Sequence, residues 1–380
     1  MARYGAGLSR HPDAAAAVGE SAGAVLEDLD GGSVQLAVAF VSPHHLDDVE
    51  AIVPAIRGIL EPEVLLLATT VAVVGGSTEA ELEPAVSVLG ADFDGARIAP
   101  VVLSVTAEAG GLTLGGWPSD TEWATTLLLL ADPFTFPAEG FLERLRAENR
   151  DLRVVGGLAS AAQAPGGNRL ALDARTFTDG AVGVLLDGDV PATAIVSQGC
   201  RPIGQPFVVT RANGNRVEEL GGAPAVQRLR EMVETASDDE RAMLQRGLHV
   251  GVVVDEHKAE FERGDFLVRG IVGAHEESGA LSVGADVAVG QTLQFHVRDA
   301  ASADEDLRIM LSGAEASAAM LFTCNGRGRN LFGTPDHDAG LIQEAVGAVP
   351  VAGGFFAGEF GPVGGESHLH GFTASTLLFT

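Results

Sequence analysis
The chain alternates short apolar runs with glycine-punctuated turns, and three stretches repeat the same order. In the first, VQLAVAF (Val34–Phe40) has the continuous apolar character of a buried strand. Ser42-Pro43-His44-His45 make a turn, Leu46–Leu60 carry apolar residues at helical spacing, and EVLLLATTVAV reads as a second strand. Gly75-Gly76 break it, and LEPAVSVLGADF returns as a third. The second stretch gives the strand TTLLLLAD (Thr125–Asp132), a turn at Pro133–Pro137 and a helix over Ala138–Asn149. The strand LRVVGGLAS, a break at Gly166-Gly167 and the strand AVGVLLDG complete it. The third gives MLFTC, the turn Cys324–Asn330, a helix over Ala339–Val346 and the strand VPVAGGFFAG. A break at Gly364-Gly365 and the strand FTASTLLFT end the chain. Three matches in one order predict internal duplication.

Outside the repeats, residues 9–30 read as one helix, capped by Ser9 and stopped by Gly31-Gly32. Residues 190–317 are less regular. They hold strands in GLHVGVVVDE, DFLVRGIVGAHEESGALSVG and GQTLQFHVRD, and helices in AVQRLREMVETA and DDERAMLQRG with Ser237 as a cap. SADEDLRIMLSGAE starts a further helix with acids in its first turn. The polar, glycine-rich stretch Asn213–Gly222 is the natural boundary. The expected fold is therefore α/β, with mixed β-sheets flanked by helices in two modules that share repeated strand–helix–strand–strand units. An N-terminal helical segment over 1–33 would precede modules at 34–217 and 218–380.

Composition narrows the function classes. A formal charge of −28 argues against nucleic acid and anionic membranes, which need clustered Lys and Arg. Lys258 is the single lysine. Two cysteines, Cys200 and Cys324, make no disulfide framework, so a reducing cytoplasm is expected. The first residues lack the apolar centre of a signal peptide, and no apolar run reaches the roughly 18 residues of a membrane helix.

The unusual polar chemistry gathers near the C-terminus. Cys324–Asn330 sets Arg327 and Arg329 two apart on a glycine-bordered turn, where a guanidinium can grip a carboxylate in bidentate fashion. The bland alternative is a tight turn whose arginines pair with surface acids. Glu359 would receive an amine, cap a loop or pair with Arg327. Phe355, Phe356 and Phe360 would wall a pocket or simply fill the core. His368 and His370 alternate on one strand, so both face one side, and a metal there would draw on Asp336, His337 or Glu366. A structural pair is the bland reading, as it is for His249 and His296. No C-x-x-C-H, G-x-S-x-G, P-loop or dinucleotide fingerprint occurs, so no enzyme class is indicated. A thiol activity at Cys324 is the residual enzymatic option.

The blocks VVGGLASAAQAPGG, SQGCRPIGQPFVVT, FLVRGIVGAHEESGALSVGADVAVGQTLQFHVRD and FTCNGRGRNLFG…VAGGFFAGEFGPVGG together resemble the FIST family, as an N-terminal module followed by a C-terminal one. The match to its C-x-G-R-G turn falls on Cys324, Gly326, Arg327 and Gly328. The match to F-x-x-G-E-x-G falls on Phe355, Gly358, Glu359 and Gly361. At Thr69-Thr70 the chain departs from a Gly-Cys pair common in the family. The resemblance implies an intracellular sensory module for signal transduction that binds a small ligand such as an amino acid. The residue chemistry of the C-terminal stretch makes Cys324, Asn325, Arg327, Arg329, Phe356, Glu359 and His370 the expected ligand-binding positions. Signalling output would pass through a protein partner. One alternative is a protein–protein adaptor whose same groove takes a peptide or protein partner; the other, which the resemblance also implies, is a haem-based nitric oxide sensor. No metal or other cofactor is expected.

Overall fold
The computed structural model describes residues 1–108, 111–148, 152–245, 247–258, 260–261 and 263–380. Asn149, the expected end of a helix, and Arg246, in the DDERAMLQRG helix, lie outside the described residues. The chain forms two compact units. The first comprises Met1–Val196, Leu307–Leu369 and Thr373–Thr380; the second comprises Ser197–Asp306 and His370–Phe372.

The first unit opens with strand β1 (Arg3–Ser9) and helix α1 (Ala14–Asp28). The expected single helix over 9–30 is corrected here. Asp13, not Ser9, is the cap, accepting from the Ala16 N–H at 2.9 Å, and the preceding residues pair antiparallel with a distant strand. Repeat one follows as β2 (Leu36–Val41), α2 (Val49–Leu60), β3 (Val64–Thr69), β4 (Ala72–Gly75), β5 (Thr78–Glu81) and β6 (Val86–Asp92). After β7 (Ile98–Glu108) and β8 (Gly111–Gly115), repeat two is β9 (Ala124–Ala131), α3 (Ala138–Ala147), β10 (Arg153–Leu158), β11 (Leu170–Leu172), β12 (Arg175–Phe177) and β13 (Ala181–Asp187). Strand β14 (Ala192–Gln198) ends this part of the unit.

The second unit contains β15 (Cys200–Asn213), β16 (Arg216–Leu220), β17 (Ala223–Pro224), α4 (Ala225–Thr235), α5 (Asp238–Leu244), β18 (Leu248–Val253), β19 (Phe266–His275), β20 (Ala280–Val283) and β21 (Thr292–Arg298). Its sheet runs β15-β21-β18-β19-β20-β16-β17, and the pairing of β15 with β16 closes that order on itself. Ile203, Val250, Phe295 and Met232 are among the residues of its own core. Ser237 caps α5 in a full capping box with Glu240, as expected from the sequence.

Helix α6 (Ala300–Leu311) leads into repeat three: β22 (Ala318–Cys324), α7 (Arg329–Phe332), α8 (His337–Val346), β23 (Val351–Phe356), β24 (Glu359–Val363), β25 (Glu366–His370) and β26 (Thr373–Phe379). Because α6 begins at Ala300, no acid falls in its first turn, contrary to the expectation.

Each repeat sets two parallel strands joined by a helix beside an antiparallel third strand: β3-β2-β6, β10-β9-β13 and β23-β22-β26. The hairpin between the second and third of these strands leaves its own sheet. Strands β4–β5 add to β23, β11–β12 to β3, and β24–β25 to β10. The exchange is cyclic, so every repeat completes another. Inner faces of all three sheets share one core that includes Phe40, Leu66, Leu130, Val184, Phe322 and Phe356. The outer faces pack separately on α1 and α2, on α3, and on α6 and α8.

Candidate functional site
The three first strands end in three different turns. In repeat one, the buried Ser42 hydroxyl accepts from the Ala85 N–H at 2.8 Å. In repeat two, the buried Asp132 carboxylate accepts from the Phe134 N–H, the Thr135 hydroxyl and the Asn168 amide. Both are closed local networks. The third turn buries an arginine as well as an acid.

Arg327 is fully buried. Its Nε and Nη2 donate to Oδ2 and Oδ1 of Asp338 at 2.7 and 2.8 Å, a bidentate pair. Asp338, also fully buried, accepts from the Thr323 hydroxyl at 2.8 Å and contacts His337 Nδ1 at 3.0 Å. Arg327 holds the Asp338 carboxyl well below the usual carboxylate range despite its burial. The His337 ring is stacked on Phe332 at 3.3 Å, and the Arg327 guanidinium lies 5.3 Å from the centre of that same ring. Arg327 keeps one buried nitrogen, Nη1, without a hydrogen-bond partner.

Two strands from elsewhere complete the cluster. Glu79 on β5 accepts at Oε1 from the Asp338 and Ala339 N–H groups at 2.9 and 3.1 Å, satisfying donors at the start of α8. Burial and the Asp338 charge push its carboxyl up to about 7. Glu359, at the start of β24 and opposite Gly157 of β10, is fully buried. Its Oε2 accepts from the Thr373 hydroxyl at 2.7 Å and the Thr373 N–H at 3.3 Å. Burial pushes this carboxyl up to about 8, against the pull of Thr373, Arg327 and Cys324. The Cys324 thiol is thus a polar neighbour, but Oε1 is left without a hydrogen bond of normal geometry. Cys324 is 6% exposed, and its Sγ accepts from the Gly326 N–H at 3.4 Å.

Cys324, Arg327 and Glu359 therefore come together, and the other sequence candidates do not join them in the same way. Asn325 and Arg329 are exposed, although the Cys324 thiol donates to Asn325 Oδ1 at 3.7 Å, and Arg329 lies 3.8 Å from Glu81 of β5. Phe356 is not a pocket wall. It packs on Phe40 and Phe322 in the central core, while Phe355 faces the outer core of its sheet and Phe360 that of repeat two. Successive strand residues point to opposite faces, which separates Phe355 from Phe356. His368 Nδ1 lies 3.4 Å from Arg146 Nη1, and His370 falls in the other compact unit. Among the described residues, no group of three or more His, Cys, Asp or Glu is arranged to hold a metal ion. Burial raises the Glu359 carboxyl to about 8, so an amine held there would have to displace its proton at neutral pH.

Sequence reasoning missed Asp338, Glu79 and Thr373. Asp338 reads as an ordinary first-turn acid of a helix. Glu79 reaches the site only through the donated hairpin, which no local pattern announces.

Fold and site together define a repeat-built α/β module with a buried, charged cluster assembled from elements of different repeats. The chain belongs to the FIST family: the FIST N domain matches residues 35–223 and the FIST C domain residues 225–362. FIST domains are generally small-ligand sensory domains in signal transduction. The chain is 43% identical over 383 residues to an uncharacterized protein of Mycobacterium tuberculosis, covering 99% of each. It is 43% identical to an uncharacterized protein of Mycobacterium bovis, covering 99% of this chain and 98% of that one. A solved cyanuric acid hydrolase from A. caulinodans aligns over 100% of this chain and 99% of its own at 10% identity, with a TM-score of 0.27. No helix among the described residues is long and apolar enough to cross a membrane.

Proposed function
We propose that the chain is a sensory module whose ligand is a small carboxylate, taken at the cluster of Cys324, Arg327 and Glu359. One observation carries this reading. Arg327 and Glu359, both fully buried, each keep one polar atom without a partner, Nη1 and Oε1. A buried polar atom left unpaired costs about 1–3 kcal/mol, so a ligand that pairs it recovers that energy on binding. At neutral pH both groups offer donors, a guanidinium N–H and a protonated carboxyl O–H, and a carboxyl kept neutral by its surroundings is a recognised donor to oxygen anions. An acceptor-rich ligand matches them. Asp338, the ionised acid of the cluster, is already engaged by Arg327, Thr323 and His337.

Thermal shift against short carboxylates, the matching amides and the matching amines tests the reading. Carboxylates at 100 times Kd are expected to add about 2.7 kcal/mol of stability, with no response to amides or amines. Arg327→Lys, which keeps a charge near Asp338 but loses the fork, should weaken the response at least tenfold. A ligand bound equally well by Arg327→Lys would contradict the assignment.

A further inference from the structure
Helix α8 starts without a cap of its own. The residue in the capping position, Asp336, has left-handed backbone angles (φ 64°, ψ 24°), and its side chain makes no capping bond. Its Oδ1 instead accepts from the Glu79 N–H at 2.6 Å. A capping side chain ordinarily accepts from the second or third N–H of a helix. In α8 those are the N–H groups of Asp338 and Ala339, and Glu79 Oε1 takes both. The cap is therefore supplied in trans, by a 3% exposed acid 259 residues from Asp338 along the chain, on the hairpin that repeat one donates. Glu81 of the same strand accepts from the Arg329 N–H at 3.1 Å, so β5 holds the chain on both sides of α7.

This cap anchors the residue that holds Arg327. Asp338 lies in the first turn of α8, and the bond to its N–H fixes the backbone from which its carboxylate reaches the guanidinium. Both of its oxygens accept from Arg327, through Nε and Nη2. A guanidinium is planar, so once two of its nitrogens are fixed the direction of the third, Nη1, follows. We infer that Glu79 is the positioning residue of the carboxylate site, acting on the ligand through Asp338 and Arg327. The effect on the ligand rests on the functional reading above; the chain of contacts from Glu79 to Arg327 does not. Only Oε1 of Glu79 is engaged, and Oε2 has no hydrogen-bond partner, so an amide can stand in for this carboxylate.

Two measurements at pH 7 test this on the full chain: calorimetric titration with acetate, and exchange of the Arg327 Nε–H with water. The exchange is read by NMR, with the signal assigned by its loss in Arg327→Lys. Glu79→Ala is expected to weaken acetate binding at least tenfold and to speed the Nε–H exchange at least tenfold, because Asp338 is no longer anchored. Glu79→Gln keeps an acceptor at the same place and is expected to hold both readings within twofold of the wild type. If Glu79→Ala does not fold, Glu79→Asp, whose carboxylate is drawn back by one methylene, is read by the same two measurements. A cap with a structural role alone would lower the melting temperature and leave both readings at their wild-type values, which would overturn the inference. A Glu79→Gln variant no better than Glu79→Ala would overturn it too. A wild type that does not bind acetate counts against the functional reading alone, and the Nε–H exchange then still decides whether Glu79 positions Arg327.

Discussion

At the residue scale, the account turns on two buried groups of different kinds. Arg327 and Asp338 form a bidentate pair with no exposed surface, and truncating one partner strands the other's charge. Arg327→Ala should therefore destabilise the protein by about 3–5 kcal/mol in urea unfolding, whatever its effect on binding. Glu359 works in the opposite sense. Its pKa rises from an ordinary 4.5 to about 8 on folding, so its neutral form contributes stability that is fully present below pH 4.5 and lost as pH rises through 8. Glu79, raised to about 7, acts in the same direction. Asp338, held low, contributes above its ordinary 3.8 and is lost on acidification. Urea stability should thus fall between pH 5 and pH 9, and Glu359→Gln should flatten that fall. An equally steep profile in the variant would show that the slope comes from other groups. Arg327, Glu359 and Cys324 were legible in the sequence because unusual polar residues stood among glycines. The burial of Glu359 and the facing of Phe356 were not, since both depend on contacts that only the packed sheets create.

At the element scale, the strands and helices that read most clearly are those whose apolar runs bury both faces, such as β2, β9 and β22. The donated hairpins did not read, because strands of three to five residues carry little pattern and their partners lie in another repeat. Strand β1, within the N-terminal segment expected to be helical, did not read as a strand for a related reason. Its glycines weaken the strand signal, yet they are what lets α1 approach: a Cβ at Gly7 would sit 2.1 Å from the Ser21 carbonyl oxygen. The same close approach occurs inside repeat three. A Cβ at Gly353 would lie 2.0 Å from the Leu321 carbonyl oxygen on the neighbouring strand β22. Because both atoms belong to backbone, relief requires the sheet to shift. Gly353→Ala should cost about 1–3 kcal/mol, measurable as a lower urea midpoint. A neutral result would mean that β22 and β23 can separate without loss.

At the scale of the whole chain, cyclic exchange makes the repeats of the first unit mutually dependent. The duplication was legible as three matched stretches, but not the exchange. A fragment of residues 1–196 lacks β24–β25 for its second sheet and the central strands β22, β23 and β26 of the third, on which the shared core closes. It should not unfold cooperatively, as read by circular dichroism in urea. Residues 197–306, with a sheet whose order closes on itself and a core of their own, should do so. Cooperative unfolding of the 1–196 fragment would contradict the dependence of the repeats on one another. The same exchange makes the site: Glu79 arrives from repeat one, and β24 carries Glu359 against β10 of repeat two. The measurement that bears most directly on this site is calorimetric titration of a short carboxylate at pH 7 and pH 9, on the wild type and on Glu359→Gln. The account predicts wild-type binding at pH 7 that weakens at least tenfold at pH 9, where Glu359 is ionised and repels the ligand, and a variant that binds equally at both. Wild-type affinity unchanged between the two pH values would contradict it.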